Sequence, residues 1–231
     1  MNIVQKVPDQ IKIRNALISV SDKTGIRELV RGLVRHGVNI YSTGGTFRTI
    51  QEELGDFDGG IHSDKLHSVS SYTGQPEMQG GLVKTLDYRI YLGLLSEPYN
   101  SDHREDMKRT QSIDFDMVVV NLYPFSQQIS RKESTMESAR SHIDIGGPTM
   151  LRASAKNYIR VASVCNPESY EEILSSMDKG DGSLNLEMRF SLARRSFEHT
   201  AGYDQAISSY LAGCSTDQLP SVYHISGEEW R

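Results

Sequence analysis

Residues 16–20, Ala-Leu-Ile-Ser-Val, are apolar over a strand's length and give way to the polar loop Ser21-Asp22-Lys23-Thr24-Gly25. Beyond it Ile26, Leu29, Val30, Leu33 and Val34 recur at helical spacing, so the pattern predicts strand, loop and helix in that order. Gly37 can close the helix. Residues 38–41, Val-Asn-Ile-Tyr, then open a second strand that runs into Thr43-Gly44-Gly45-Thr46 before Phe47, Ile50 and Leu54 mark another helix.

Met117-Val118-Val119-Val120 is β-branched and apolar throughout, the composition of a strand covered on both faces, and 161–164 is a weaker second case. Strands alternating with helices predict an α/β fold with a parallel sheet. From 184 to 211 the apolar positions Leu186, Phe190, Leu192, Ala193, Phe197, Ala201, Ala206, Ile207 and Tyr210 predict a helical C-terminal part, broken near Gly202. Past Gly213 turn formers without a period predict an extended tail, with Trp230 as a residue that can dock. The segment 56–71 is too mixed for an assignment. The expected organisation is an N-terminal extension at 1–14, one domain at 15–212 and a tail at 213–231.

Composition narrows the partners. A chain of 231 residues with 37% hydrophobic and 24% charged positions can bury a full core without staples. Its net charge of -5 argues against a nucleic-acid surface but leaves room for a local pocket that holds a small anion. Two cysteines, Cys165 and Cys214, are neither a disulfide framework nor a thiol cluster for a metal, which fits a reducing cytoplasm. The first 15 residues lack the apolar core of a signal peptide, and no later run approaches the roughly 18 apolar residues of a membrane span. A soluble, unprocessed chain with no membrane contact is expected.

The candidate chemistry gathers in the loops. In an open parallel sheet ligands bind beyond the carboxyl ends of the strands, where both polar loops fall. Thr43-Gly44-Gly45-Thr46 offers close backbone approach, two hydroxyls and helix-start N–H groups, a set suited to phosphate, with Ser21 and Lys23 able to complete the cradle. The plainer reading is a tight turn with Thr46 as helix N-cap. Neither a Walker lysine motif nor a GxGxxG fingerprint is present, so a nucleotide here would be a monophosphate. Further candidates are Lys84 and Thr85 after Gly80-Gly81, Asn121 and Tyr123 at the end of the apolar strand, and Asp144-Ile145-Gly146-Gly147 ahead of a helix carrying Arg152 and Lys156 on one face. Taken singly, Tyr123 reads as an aromatic cap on the core and Asp144 as a turn carboxylate. Residues 103–109 read as a solvated helix face, and Arg194-Arg195 as either surface or pocket. Histidine, cysteine and carboxylate spacings give no metal signature.

As an ordered set, these motifs resemble one family: the cyclohydrolase domain that forms the N-terminal part of a bifunctional purine-biosynthesis protein. The blocks are SVSDKTG at 19–25, STGGT at 42–46, TGQPEMQGGLVKTL at 73–86, NLYPF at 121–125, IDIGGPTMLRASAKN at 143–157 and FEHTAGYDQAI at 197–207. The resemblance implies a methylglyoxal-synthase-like parallel sheet flanked by helices, a homodimer, no cofactor, and inosine monophosphate formed by ring closure of a formylated purine precursor. It also implies Ser21, Lys23, Thr43, Gly44, Gly45 and Thr46 around the ribose phosphate. Lys84, Thr85, Tyr123, Asp144 and Lys156 then surround the base, with Asn121, Ile145 and Gly146 as further substrate-binding positions and Lys84, Tyr123, Asp144 and Lys156 as the catalytic set.

Three departures stand out. The family continues its lysine block as G-G-R-V-K-T-L-H-P, whereas Leu82 replaces the arginine and Asp87-Tyr88 the His-Pro pair. The roughly 20 residues after Leu211 cannot hold a formyltransferase, so a separate enzyme is expected to supply the formylated substrate. The stretch between Leu54 and Tyr72 is longer and more polar than the family has, which implies a surface insertion. Two other functions remain open: a methylglyoxal-synthase-type lyase acting on a triose phosphate, and a module that binds a purine nucleotide without turning it over.

Overall fold

The computed structural model describes residues 3–75, 84–97 and 99–224. In chain order the elements are β1 (Ile11–Lys12), β2 (Asn15–Val20), α1 (Ile26–Arg35), β3 (Asn39–Ser42), α2 (Gly44–Gly55), β4 (Leu66–Ser68) and α3 (Val69–Thr73). There follow α4 (Tyr88–Leu95), α5 (Ser101–Arg109), β5 (Met117–Asn121), α6 (Phe125–Ile129), α7 (Met136–Ser141) and α8 (Gly146–Lys156). The last group is β6 (Ala162–Val164), α9 (Tyr170–Lys179), β7 (Ser183–Leu184), α10 (Leu186–Gly213) and α11 (Leu219–Val222).

Five strands form a wholly parallel sheet in the order β4-β3-β2-β5-β6, and β1 pairs antiparallel with β7. Strand alternation divides the core into two layers. Ala16, Ile18 and Val20 of β2 with Met117 and Val119 of β5 face one side, where they meet Ile26, Leu29, Leu33, Ile50 and Ile173 of α1, α2 and α9. Leu17, Val118 and Val120 face the other, against Ile90 and Leu94 of α4 and Met150 and Leu151 of α8. The central strands are therefore apolar without a break because both of their faces are covered. Helix α1 buries the five apolar residues its spacing marks and ends at Gly37 (φ 76), where Val38 N–H bonds to Leu33 at 3.1 Å and Gly37 N–H to Val34 at 2.9 Å.

Three expectations need correction. Gly202 does not break α10, which is one helix of 28 residues; no heavy atom lies within 4 Å of where its Cβ would be, so the glycine leaves the exposed helix intact. The tail is not wholly extended, because 216–218 form a 3-10 turn and α11 follows, with the Tyr223 hydroxyl bonded to Glu137 at 2.6 Å. The stretch 56–71 is more than a surface insertion, since it contributes edge strand β4, whose three half-buried residues are too few to show a period. Trp230, Leu82 and the glycine pair at 80–81 lie outside the described residues. Among the described residues no helix is long and apolar enough to cross a membrane.

Two buried arginines tie the layers together through backbone carbonyls. Arg189 of α10 donates to the carbonyls of Pro8, Asp9, Tyr158, Ile159 and Leu184, fixing the N-terminal strand against the long helix. Arg160 donates to those of Gly93, Ser96 and Phe115, with Asp116 beside it at 3.4 Å. Gly93 lets α4 approach the sheet closely: a Cβ there would lie 2.3 Å from the Ile113 carbonyl oxygen and 2.8 Å from the Phe115 ring. Because the first obstacle is backbone, Gly93→Ala is expected to destabilise the fold by about 2–3 kcal/mol, lowering Tm by roughly 4–12 °C in a chain of this size. An unchanged melting curve would contradict this packing.

Candidate active site

Strands β2 and β5 are neighbours in register, Val20 beside Asn121, yet the chain leaves them in opposite directions. After β2 it enters α1 on one face of the sheet, and after β5 it reaches α8 on the other. Strands that part in this way leave a crevice at their carboxyl ends, the topological switch point at which such sheets hold ligands.

The β2 side of the crevice is built by Thr46 and Asn121. Thr46 is buried, and its hydroxyl accepts the Val20 N–H at 3.2 Å and donates to the Val20 carbonyl at 3.0 Å. It is thus a clasp between β2 and α2, whose N-cap is Thr43. Lys23 donates to the same Thr46 oxygen at 3.0 Å and to the Val20 carbonyl, and burial pulls its pKa below the usual lysine value. Asn121 holds the loop after β2: its Oδ1 accepts the N–H of Ser21 at 2.6 Å and of Asp22 at 2.8 Å, and its Nδ2 donates to Asp22 at 2.8 Å. Asp22 in turn accepts from Thr24 N–H at 2.9 Å, which closes the loop on itself.

Helix α2 begins at Gly44 with no side-chain cap, so its first-turn N–H groups and the positive end of its dipole face the crevice. Gly44 is required twice over. Its φ of 50° lies in the left-handed region, and a Cβ there would stand 2.9 Å from Lys84 Nζ. The Lys84 ammonium therefore sits directly over the start of α2.

The α8 side carries Asp144. Its Oδ1 accepts the Gly147 N–H at 3.0 Å, and its own N–H donates to the Tyr203 hydroxyl of α10 at 2.8 Å. Burial lifts its carboxyl above the ordinary aspartate range, and the N–H groups of Gly147 and Gly146 act in the opposite direction. A Cβ at Gly147 would lie 2.4 Å from Asp144 Oδ2 and 2.7 Å from Leu122, so only glycine lets the carboxylate and the end of β5 close on the helix. Buried Thr85 reaches the same place, its hydroxyl 2.8 Å from where a Gly146 Cβ would be. Tyr123 and Ile145, 58% and 61% exposed, stand beside Leu122 and Gly146 with their apolar surface in solvent.

Ser21, Lys23, Thr43 to Thr46, Lys84, Thr85, Asn121, Tyr123, Asp144, Ile145 and Gly146 thus all lie on the loops and helix starts at this edge. Lys156 does not join them. It is exposed in the last turn of α8, ten residues from Gly146, or about 15 Å along the axis. Arg152 shares that outer face, its guanidinium 5.6 Å from the Phe197 ring. Arg195 is exposed and pairs with Glu172 at 3.2 Å, so the Arg194-Arg195 pair belongs to the surface. Helix α5 is the charged outer face expected of 103–109, anchored by Met107. Asp87 caps α4 by accepting the Arg89 N–H at 2.8 Å. Tyr203 lies in the block FEHTAGYDQAI, where nothing in the spacing marks it, because its partner is a backbone N–H 59 residues away.

Comparison with known proteins adds the family. Residues 25–149 match the MGS-like domain model, and 154–230 match the AICARFT/IMPCHase bienzyme model. The bifunctional purine biosynthesis protein PurH of Rhodopirellula baltica is 42% identical over 219 residues, 94% of this chain and 40% of that protein. PurH of Magnetococcus marinus is 42% identical over 212 residues, 92% of this chain and 38% of its own length. The chain thus spans about two-fifths of the relatives it matches. The crystal structure of ForH superposes with a TM-score of 0.69 at 28% identity, covering 84% of this chain and 96% of that one.

Asn121→Ala removes three hydrogen bonds that hold the 21–25 loop. It is expected to destabilise the protein by about 2 kcal/mol and to accelerate amide exchange at Ser21 and Asp22 ahead of the strands. Exchange unchanged at those two amides would mean that the loop is held by something else.

Proposed function

We propose that this chain, which belongs to the MGS-like domain family, is a cyclohydrolase of purine biosynthesis that closes 5-formamidoimidazole-4-carboxamide ribonucleotide to inosine monophosphate. One observation carries the reading: the adjacent residues Lys84 and Thr85 touch both helix starts, Lys84 at Gly44 and Thr85 at Gly146. A phosphate at the α2 start and a base at the α8 start would then belong to one small ligand, with Lys84 between them. The PurH relatives and the match to the bienzyme model support the same substrate class.

In this reaction the carboxamide nitrogen bonds to the formyl carbon, and the formyl oxygen leaves as water with one proton from each nitrogen. The nitrogen is a poor nucleophile and the formyl carbon a poor electrophile, so holding them in register supplies much of the rate. The phosphate rests on the N–H groups of Gly44, Gly45 and Thr46, with Thr43, Ser21 and Lys23 around it. Asp144 orients the carboxamide and accepts its proton; burial makes it a stronger base than an exposed aspartate. Lys84 and Tyr123 stabilise and protonate the formyl oxygen. Thr85, Asn121, Ile145 and Gly146 shape the base end. Lys156 relays protons from a second protomer in a homodimer, since it stands too far along α8 to serve its own cleft. No cofactor enters these steps. A formyltransferase supplies the substrate, and the setting is the reducing cytoplasm that two unpaired cysteines fit.

The test is turnover of the formylated ribonucleotide by purified protein, followed by absorbance. Product is expected, and Lys84→Ala and Asp144→Asn are each expected to lower kcat by roughly a hundredfold or more. Wild-type kcat in both variants would overturn the assignment. Turnover of dihydroxyacetone phosphate would favour a lyase, and nucleotide binding without turnover a regulatory module.

The pH dependence has a definite sign. The base must be ionised, so activity is expected to fall with acid along a limb above the ordinary aspartate value of about 3.9. A carboxyl raised in the fold adds stability below its unfolded pKa, and that contribution is lost as pH rises through the folded value. Asp144→Asn is therefore expected to melt higher than wild type at neutral pH while losing activity. A lower Tm would contradict the burial argument.

A further inference from the structure

Tyr91 lies in α4, packed against the second core layer, and its hydroxyl is buried with no hydrogen-bond partner among the described residues. Two other tyrosines of that layer are paired: Tyr72 accepts the Ile113 N–H at 3.0 Å, and Tyr203 accepts the Asp144 N–H at 2.8 Å. An unpaired buried hydroxyl is costly, and a phenylalanine of the same shape would fill the space without that cost. Packing therefore accounts for the Tyr91 ring but not for its oxygen.

Thr85, six residues before Tyr91, stands against Gly146, two residues after Asp144. Helix α4 packs on α8, at whose start Asp144 sits. Burial, and after it the charge of Asp144, pushes the Tyr91 pKa up to about 12, so the hydroxyl keeps its proton and is a donor throughout the working range. Asp144 is already held at two points, by Tyr203 on its N–H and by Gly147 on Oδ1. Tyr91 also follows Lys84 and Thr85 by a few residues, so a ligand that engages Lys84 acts on the segment leading into α4.

We propose that Tyr91 is a positioning residue for Asp144: with a ligand in the cleft, its hydroxyl donates a hydrogen bond to the ionised carboxylate and holds it toward the reacting nitrogen. Two tyrosines from different helices then mount the base, Tyr203 of α10 through the backbone and Tyr91 of α4 through the side chain. The inference rests on the assignment of Asp144 as the base. Among the described residues Tyr91 from α4 and Tyr203 from α10 face Asp144, the latter with Asp204 beside it. The cations of α8, Arg152 and Lys156, stand toward its far end, and His142 at the end of α7 is turned to the Ser138 carbonyl at 2.7 Å.

The experiment is Tyr91→Phe in the full chain, which keeps the ring. Loss of a donor to the charged form is expected to raise the Asp144 pKa by about one unit. The acid limb of kcat moves up with it, kcat near neutral pH falls severalfold with KM within about twofold, and Tm does not fall. The direct readout is the titration of the Asp144 carboxyl carbon by NMR with inosine monophosphate as the probe ligand, the signal assigned by its absence in Asp144→Asn. An upward shift in Tyr91→Phe supports the contact. An unmoved Asp144 titration overturns it, whether Tm falls or not, and leaves Tyr91 a packing residue. If Asp144→Asn instead turns over at the wild-type rate, the base assignment fails by itself, while the titration still reads whether the two side chains meet.

Discussion

The pairing of β2 with β5 is the contact on which the site depends. Register places Val20 beside Asn121, and the two chains then part to opposite faces of the sheet, so a crevice opens where their backbone pairing ends. The β2 side of that crevice is braced from it: Thr46 clasps Val20, and Asn121 holds the loop after β2. A slip of one residue between these strands would turn every side chain of β2 to the opposite layer and separate the clasps from their partners. The apolar alternation that fills the two core layers is therefore also what aligns the polar loops.

The crevice is electropositive without being basic overall. Two helix starts, α2 and α8, and the ammonium groups of Lys23 and Lys84 converge in a protein whose net charge is -5. Such a local field suits one compact anion rather than a polyanion. Opposite it stands a carboxylate kept above its usual pKa by burial. In the proposed reading the start of α2 anchors the phosphate and Asp144 is the base, the pair of groups that a ring closure on a nucleotide monophosphate needs. The same crowding explains the glycines: Gly44 and Gly147 are where Lys84 and Asp144 come too close for a Cβ.

Much of this was legible in the chain and some of it was not. The strands around Leu17, Ile40 and Val118 follow from short apolar runs that end in polar or glycine-rich turns, and α1 with its five buried positions follows from helical spacing. The loops of the site were legible as glycine-rich polar turns at strand ends. Edge strand β4 was not, since three half-buried residues carry no period, and neither was the continuity of α10 through Gly202, where exposure lets a glycine pass without breaking the helix. Thr46 reads from sequence as an N-cap, yet its hydroxyl turns to β2, a contact between residues 26 apart that no local pattern encodes. Tyr203 and Tyr91 escape for the same reason: both act on the Asp144 region across the fold. Lys156 shares a motif with Asp144 but not a place, because a helix of 11 residues separates its two ends.

The most direct test of the account is a crystal structure of this chain with inosine monophosphate. The phosphate is expected on the N–H groups of Gly44, Gly45 and Thr46, the base within hydrogen-bond reach of Asp144, and Lys84 between them. A nucleotide bound elsewhere, or one whose phosphate lies at α8 and whose base lies away from Asp144, would contradict it.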